Sequence, residues 1–381
     1  VIYLEGFYNI SEDRLKRGKS TDIYFKYTKK ILKEKDINPK VALEVTASSR
    51  GIFTGLEEVL NLMKGKNVDI SSMKEGTFFK KNEPVMRIEG NYLDICIFET
   101  TILGFICQSS GIATKAAKIK KIAGNADVLS FGTRRMYPSI APMIERSAYI
   151  GGADGISNTE GGRMIGVKAK GTMPHSLILC FGSPEGAWKS YDEIINKEIP
   201  RVMLTDTFGD EKDEVLRAIK EVGDSLDAIR LDTPSSRRGN LKEIVNEIRW
   251  ELDSRGFENV GIFVSGGIDE EEVKELRDIV DGFGVGTSIS SASPIDFGMD
   301  IVEIENNRIA KKGKMSGKKQ VYRGADFDDE IRLAKEDAPK DKKGLLNPVM
   351  DGGEILTKSS LEEIRKRVKE NLKDLPLLNN E

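Results

Sequence analysis

The stretch that decides the fold is VGIFVSGGIDEEEVKELRDIVDGFGVGTS, residues 260–288. Val260 to Ser265 is a short apolar run of strand type, Gly266-Gly267-Ile268 breaks it, and Asp269 to Val280 has helical spacing. Gly282 to Ser288 then returns to an apolar run ending in GVGTS. Working outward, the same strand–loop–helix texture begins near residue 126. Val128 to Phe131 leads into GTRR (132–135), and Val202 to Thr207 (VMLTDT) into a helix near Glu211 to Val222. Ala228 to Thr233 (AIRLDT) leads into Asn240 to Arg255. Parallel strands need a crossover connection, so repeated units of this kind imply a parallel sheet with its helices outside. At least five of them, each with polar or glycine residues just past the strand, predict an incomplete α/β (TIM-like) barrel. In that architecture the active site lies at the strand ends.

The flanks read differently. Residues 1–110 form an N-terminal α+β domain, a mixed α/β sandwich. Ser20-Thr21-Asp22 precedes an amphipathic helix from Ile23 to Lys35, and Val41 to Thr46 and Gly76 to Gly90 alternate as strands. Asp94 to Gln108 is apolar on a helical face, after which Ser110 and Gly111 are expected to open a second helix, Ile112 to Ala123. The barrel domain is assigned 111–295. The basic segment KKGKMSGKKQVYR (311–323) is a solvated loop or a strand returning to the first domain, which is rejoined by about 296–325. Residues 326–381 are a charged C-terminal extension, surface-lying through Lys343 and ending in a helix at Leu361 to Leu372.

At roughly 100–200 residues per domain, 381 residues fit two domains. Lys plus Arg is 59 and Asp plus Glu is 62, so a dedicated nucleic-acid surface, which needs a basic excess, is not expected. The chain has one histidine, His175, which excludes a catalytic His pair and a two-His metal site within one copy. Cys96, Cys107 and Cys180 fall in apolar runs without CxxC spacing and read as buried small hydrophobes, so neither disulfides nor zinc are expected. No signal peptide is visible and no apolar run reaches the roughly 18–20 residues of a membrane span. A reducing cytoplasm is the expected location, with no membrane partner.

Several residues carry chemistry. Gly266, Gly267, Gly286 and Thr287 lie on two glycine-rich strand ends, where backbone N–H groups can approach a phosphate. Tight turns needed for packing are the alternative, and GxxxxGK[ST] is absent, which excludes a P-loop NTPase. Asp206 and Asp232 end neighbouring strands inside apolar runs, where a carboxylate is costly unless paired or solvated. They suit sugar hydroxyls or a hydrated Mg²⁺, or else cap the following helices. Arg134 and Arg135 suit a carboxylate, phosphate or pyrophosphate, or form a structural ion pair. Strand alternation aims Arg230 at the same face as Asp232. His175 sits in a polar loop, GTMPHS (171–176), after a candidate strand Ile165 to Ala169 and before a helix near Ser176. Taken alone, a lone histidine is more often a structural residue than a catalytic one.

These motifs together resemble the nicotinate phosphoribosyltransferase family, an archaeal-type branch of the type II phosphoribosyltransferases. The resemblance runs over about residues 20–322 and comprises TDIY (21–24), SGIAT (110–114), FGTRR (131–135), GTMPHS (171–176), RLDTPSSRRGN (230–240), VSGGI (264–268) and GVGTSIS (284–290). It implies that nicotinate attacks C1 of phosphoribosyl pyrophosphate to give nicotinate mononucleotide and pyrophosphate in NAD biosynthesis. By the same resemblance His175 is phosphorylated by ATP, with Thr172 and Ser176 as hydrogen-bonding neighbours. Gly266, Gly267, Gly286 and Thr287 would hold the 5-phosphate. Asp206 and Asp232 would face the ribose or Mg²⁺, and Arg134 or Arg135 would face the nicotinate carboxylate or the phosphates, with Arg230 nearby. Tyr24 would stack on the pyridine ring from a second copy, so a homodimer or higher homo-oligomer with shared sites is implied. The sequence departs from zinc-bearing relatives, because residues 324–381 contain no Cys or His. The stretch Gly155-Ile156-Ser157-Asn158 lacks the acid of nicotinamide-specific cousins. Quinolinate or nicotinamide transferases are the alternatives within the family, and a non-catalytic phosphosugar-binding barrel is the alternative outside it.

Overall fold

The computed structural model describes residues 7–376. The chain divides into two compact units, residues up to 114 with those from 293 onward, and residues 115–292.

The second unit holds a six-stranded sheet in the order Gly155–Ile156, Asp127–Ser130, Gly282–Val285, Gly261–Ser265, Ala228–Leu231, Val202–Leu204. Every neighbouring pair is parallel. The last strand in sequence, Gly282–Val285, pairs with the first, Asp127–Ser130, as barrel closure requires. The barrel stays open between Gly155–Ile156 and Val202–Leu204, and the chain between them forms the helices Thr159–Ile165, His175–Phe181 and Pro184–Ile194. This is the incomplete TIM-like barrel that the sequence predicts.

The expected strand at Ile165 to Ala169 does not form. Ile165 ends a helix whose start is capped by the Asn158 side chain accepting from the Gly161 N–H, and Gly166 leaves that helix at φ +71°. The backbone beyond is tied by single bonds, Val167 N–H to the Gly162 carbonyl and Lys170 N–H to the Ile156 carbonyl, rather than by a ladder.

The first unit is built on a seven-stranded sheet that interleaves both ends of the chain: Asn307–Arg308, Phe297–Ile304, Lys40–Ala47, Pro84–Asn91, Val68–Ser72, Asn347–Asp351, Glu354–Ile355. Lys40–Ala47 is antiparallel to both Phe297–Ile304 and Pro84–Asn91. Val45, Phe53, Ile70, Phe79, Met86 and Ile88 are among its fully buried core. Residues 326–376 belong to this unit rather than lying apart from it. Asp329–Leu333 pairs with Lys319–Arg323, and Leu361–Asn371 is the final helix.

Ser110 and Gly111 do not open a helix. Glu99–Ala123 is one continuous helix of 25 residues. Gly111 serves close approach instead, because a Cβ there would stand 2.2 Å from the Ser293 carbonyl oxygen. The Ser110 hydroxyl accepts from the Thr54 N–H at 3.1 Å. Contrary to the sequence expectation, the helical stretch Tyr92–Ala123 is long and apolar enough to cross a membrane by length and composition, with 56% of its window buried. Ile102 and Ile106 place its first half in the unit's core, so core packing accounts for its apolar character. Cys96 is buried and Cys107 half-buried, but Cys180 is exposed, which corrects its reading as a core residue.

Candidate active site

The strands of the open barrel deliver their polar residues to one rim. Asp206 follows Val202–Leu204 and Asp232 follows Ala228–Leu231, so two neighbouring strands end in carboxylates. One oxygen of Asp206 accepts from the Asp232 N–H at 2.5 Å and from the Thr233 hydroxyl at 2.9 Å. Its other oxygen is buried without a hydrogen-bond partner and lies 3.6 Å from His175 Nε2. Asp232 places Oδ2 3.5 Å from the same nitrogen and 3.9 Å from Arg230 Nη2. Its Oδ1 accepts from the Ser265 hydroxyl at 2.6 Å. Neither aspartate caps a helix. Asp210 caps Glu211–Val222 and Asn240 caps Leu241–Asp253, which removes the capping alternative for both.

His175 is the first residue of the helix His175–Phe181 and is half-buried. Its Nδ1 lies 3.1 Å from Thr207 Oγ1, while Nε2 faces the two carboxylates. A carboxylate only accepts, so the geometry favours the proton on Nε2 and leaves the Nδ1 lone pair toward a hydroxyl that can donate. The Asp232 carboxylate holds the imidazole pKa above its usual value, against burial, and Asp206 adds to that pull. Burial pushes the Asp206 carboxyl up, opposed by the Asp232 N–H and the Thr233 hydroxyl. Burial works in the same direction on Asp232, but contacts with His175 and Ser265 and the Arg230 charge outweigh it and hold it below the usual range.

Arg230 joins this cluster from the side. Its Nη1 donates to Thr172 Oγ1 at 2.7 Å, and its Nε is buried without a partner. Burial lowers its pKa, Asp232 and Asp206 oppose that, and Arg134 is near enough to reinforce it. A cavity of about 760 Å³ runs along the open barrel, and Phe131, Lys168, Lys170, Thr172 and Arg230 are among the residues lining it. Gly284 makes room for the Phe131 ring, since a Cβ there would stand 2.7 Å from it.

The two glycine loops close the rim. Gly266 and Gly267 have φ of +86° and +87°, and Gly286 precedes the short helix Thr287–Ser290. Gly266 also packs on the Asp232 backbone, the close approach that the tight-turn alternative expects. Arg134 and Arg135 lie exposed on the turn Thr133–Arg135, and Ser176 is exposed beside His175. Tyr24 belongs to the first unit, exposed on the helix Ile23–Glu34, where its hydroxyl donates to Asp22 at 3.2 Å. Among the described residues no group of three or more His, Cys, Asp or Glu could hold a metal ion.

Sequence reasoning passed over Thr207, Ser265 and Phe131, although each lies inside a motif it quoted. The signal was available, since strand-end position had already singled out Asp206 and Gly266 beside Thr207 and Ser265, and Arg134 and Arg135 just past Phe131.

Comparison with known proteins matches residues 22–110 to the N-terminal domain of quinolinate phosphoribosyl transferase and residues 112–300 to its C-terminal domain. The nicotinate phosphoribosyltransferase pncB2 of Mycobacterium tuberculosis is 31% identical over 80% of this chain and 68% of its own length. The Bacillus subtilis nicotinate phosphoribosyltransferase is 34% identical over 58% of this chain and 45% of its own. Among solved structures, the nicotinate-nucleotide pyrophosphorylase from Pyrococcus furiosus superposes with a TM-score of 0.95 at 49% identity, covering 97% of this chain and 99% of that one. Human nicotinic acid phosphoribosyltransferase shares the fold, with a TM-score of 0.74 at 18% identity over 93% and 94% of the two chains. The chain belongs to the quinolinate/nicotinate phosphoribosyltransferase family, the type II phosphoribosyltransferases.

Proposed function

We propose that this chain is a nicotinate phosphoribosyltransferase whose synthesis of nicotinate mononucleotide is coupled to ATP hydrolysis through a phosphorylated His175. The observation that carries this reading is the His175 imidazole, set between the Thr207 hydroxyl and two carboxylates at glycine-bearing strand ends. The names of the Mycobacterium and Bacillus relatives support nicotinate as the base. The Pyrococcus protein's name, a nicotinate-nucleotide pyrophosphorylase, is compatible with either nicotinate or quinolinate as the base and supports only the wider reaction class.

In the proposed reaction the pyridine nitrogen lone pair forms the bond to C1. The C1–oxygen bond breaks, and its electron pair leaves on pyrophosphate. No proton moves, so the chain supplies position and charge. Arg230, with its spare buried Nε, offers a guanidinium to the nicotinate carboxylate, and Arg134 and Arg135 add positive charge nearby. Asp232, whose side chain is 28% exposed, presents Oδ2 to ribose hydroxyls, and Asp206 adds negative charge beneath the cationic sugar. Backbone N–H groups of Gly266, Gly267, Gly286 and Thr287 hold the 5-phosphate. A protein-caged Mg²⁺ does not fit the donor set, but one carried by pyrophosphate with Asp206 and Asp232 as its protein contacts does, given the unpartnered Asp206 oxygen. Bound there, Mg²⁺ would neutralise the leaving group. In the coupling step the Nδ1 lone pair forms a bond to the γ-phosphorus of ATP as ADP leaves with the electrons of the broken P–O bond. The Nε2 proton stays against the carboxylates throughout, and Thr172 and Ser176 lie beside the phosphorylated ring. Tyr24 would reach the base from a second copy of the chain.

Quinolinate is the second reading, favoured by the exposed Lys168 and Lys170 on the cavity, which suit a second carboxylate. One assay decides: phosphoribosyl pyrophosphate with nicotinate, quinolinate or nicotinamide, each with and without ATP, followed by pyrophosphate release. Nicotinate turnover stimulated by ATP is expected, and His175→Ala should lose the stimulation while retaining some ATP-independent synthesis. Turnover of quinolinate alone rejects the nicotinate assignment, and unchanged stimulation in His175→Ala rejects the phosphohistidine.

A further inference from the structure

The loop that carries Asp206 is held by a carboxylate that touches no substrate. Glu214 lies on the first turn of Glu211–Val222 and is fully buried. Its Oε2 accepts from the Thr207 N–H at 3.0 Å, and its Oε1 accepts from the N–H groups of Phe208 and Gly209 at 2.6 and 2.8 Å. Three consecutive amides therefore close on one side chain. Burying a carboxylate is costly, and charge-assisted bonds of this kind offset the cost only when the loop holds one conformation. Asp210 pins the next turn by accepting from the Lys212 and Asp213 N–H groups. On the other side Thr205 is buried and its N–H donates to the Arg230 carbonyl at 3.1 Å. The residue left between these anchors with its hydroxyl pointing inward is Thr207, 3.1 Å from His175 Nδ1.

We propose that Thr207, locked by Glu214, is a positioning residue that fixes the tautomer and ring orientation of His175. The inference rests on the phosphohistidine reading for its catalytic consequence, but not for its structural content. With Nε2 against Asp206 and Asp232, the neutral ring offers Nδ1 as an acceptor, and the Thr207 hydroxyl donates to it. A hydroxyl donates to the neutral ring and accepts from the protonated one, so the contact survives titration of His175. As Nδ1 takes a phosphoryl group, the same hydroxyl is free to turn to a phosphoryl oxygen. Without it, the two carboxylates alone orient the ring, at the longer distances of 3.5 and 3.6 Å.

The single histidine makes the test clean, because every imidazole signal of the full chain belongs to His175. ¹⁵N chemical shifts of the ring report the tautomer, and ³²P transfer from [γ-³²P]ATP reports phosphorylation. Thr207→Val keeps the shape without the hydroxyl, and Thr207→Ser restores the hydroxyl. The valine variant should show a mixture of tautomers and a phosphorylation rate lower by about tenfold, the scale of one lost hydrogen bond. The serine variant should return both to near wild type. Glu214→Gln, which replaces one of the two accepting oxygens by a donor, should shift the tautomer in the same direction with the Thr207 hydroxyl intact. A wild-type tautomer and rate in Thr207→Val, or a serine variant as impaired as the valine one, overturns the proposal. If the wild-type chain takes no label, the phosphohistidine reading fails, and the tautomer comparison still decides the role of Thr207.

Discussion

Replacing Gly266 by alanine should disable turnover through Asp232 while leaving the barrel folded. Gly266 has φ +86°, where an L-residue costs about 1–2 kcal/mol. A Cβ there would stand 2.5 Å from the Asp232 carbonyl oxygen and 3.0 Å from its carbon, whereas ordinary contact begins at 3.4 Å, so the Asp232 backbone must retreat by about 0.9 Å. The carboxylate moved by that retreat is tied to Ser265 at 2.6 Å and faces His175 at 3.5 Å. A misplacement of about 1 Å at a reacting centre costs on the order of 10²-fold in rate. Gly267 supplies the control. It has φ +87°, hence the same backbone strain, but its Cβ would meet no atom within 4 Å. Steady-state pyrophosphate release with nicotinate and phosphoribosyl pyrophosphate, beside a thermal melt of each variant, separates the two. Both variants should melt at lowered temperatures through the shared backbone strain, Gly266→Ala the lower of the two because of its added clash. Gly266→Ala should lose kcat by about a hundredfold, and Gly267→Ala should instead raise KM for phosphoribosyl pyrophosphate, because its methyl occupies the open space assigned to the 5-phosphate. A Gly266→Ala enzyme with wild-type kcat, or equal kcat losses in both variants, refutes the placement of Asp232 against the reacting sugar.

Two further predictions concern the first unit. Burial pushes the Glu99 carboxyl up to about 7, with Asp300 and Asp22 adding and Lys311 opposing. Because the folded value is raised, the stability it contributes is full below the unfolded value near 4.5 and is lost as pH rises through about 7. Glu99→Gln should therefore stabilise the fold at pH 8 by about 1–2 kcal/mol after allowance for solvent screening, read as a higher melting temperature, and change its stability little at pH 5. A gain that is the same at both pH values counts against the shift. Lys319 pairs with Glu44 at 2.7 Å, with side chains 8% and 1% exposed. Lys319→Met should destabilise by about 3–5 kcal/mol in urea unfolding by stranding the buried carboxylate. Adding Glu44→Gln should recover part of the loss, and no recovery in the double variant would mean that the pair is not the cause.

The legibility of this chain follows from where its signals are local. Glu211–Val222 is readable to the residue because Asp210 supplies the start and Gly223 the stop. Asp206 and Asp232 are readable because a carboxylate inside an apolar strand run is costly and therefore conspicuous. The strand expected at Ile165 to Ala169 fails for two reasons: the local Asn158 cap and Gly166 exit place Ile165 at the end of a helix, and beyond it a strand needs a neighbour where the barrel is open. The break expected at Ser110-Gly111 fails for a reason no local pattern contains, because Gly111 is small for the sake of Ser293, more than 180 residues later. Glu214 is the instructive case. It stands in EKDEVLR (211–217) beside Glu211 and Asp213, three acids with equal claims to solvent. Only the fold turns Glu214 under the loop with Val215 and Ala218 on the buried face. The groups proposed to meet substrate are thus visible in the sequence because they break its apolar pattern, while the group that holds them in place is hidden by looking like its neighbours. A search by sequence alone would find His175 and miss what is proposed to fix its orientation, so substitutions at Glu214 are where sequence and structure make opposite predictions: a neutral surface change from the one, a misaligned histidine from the other.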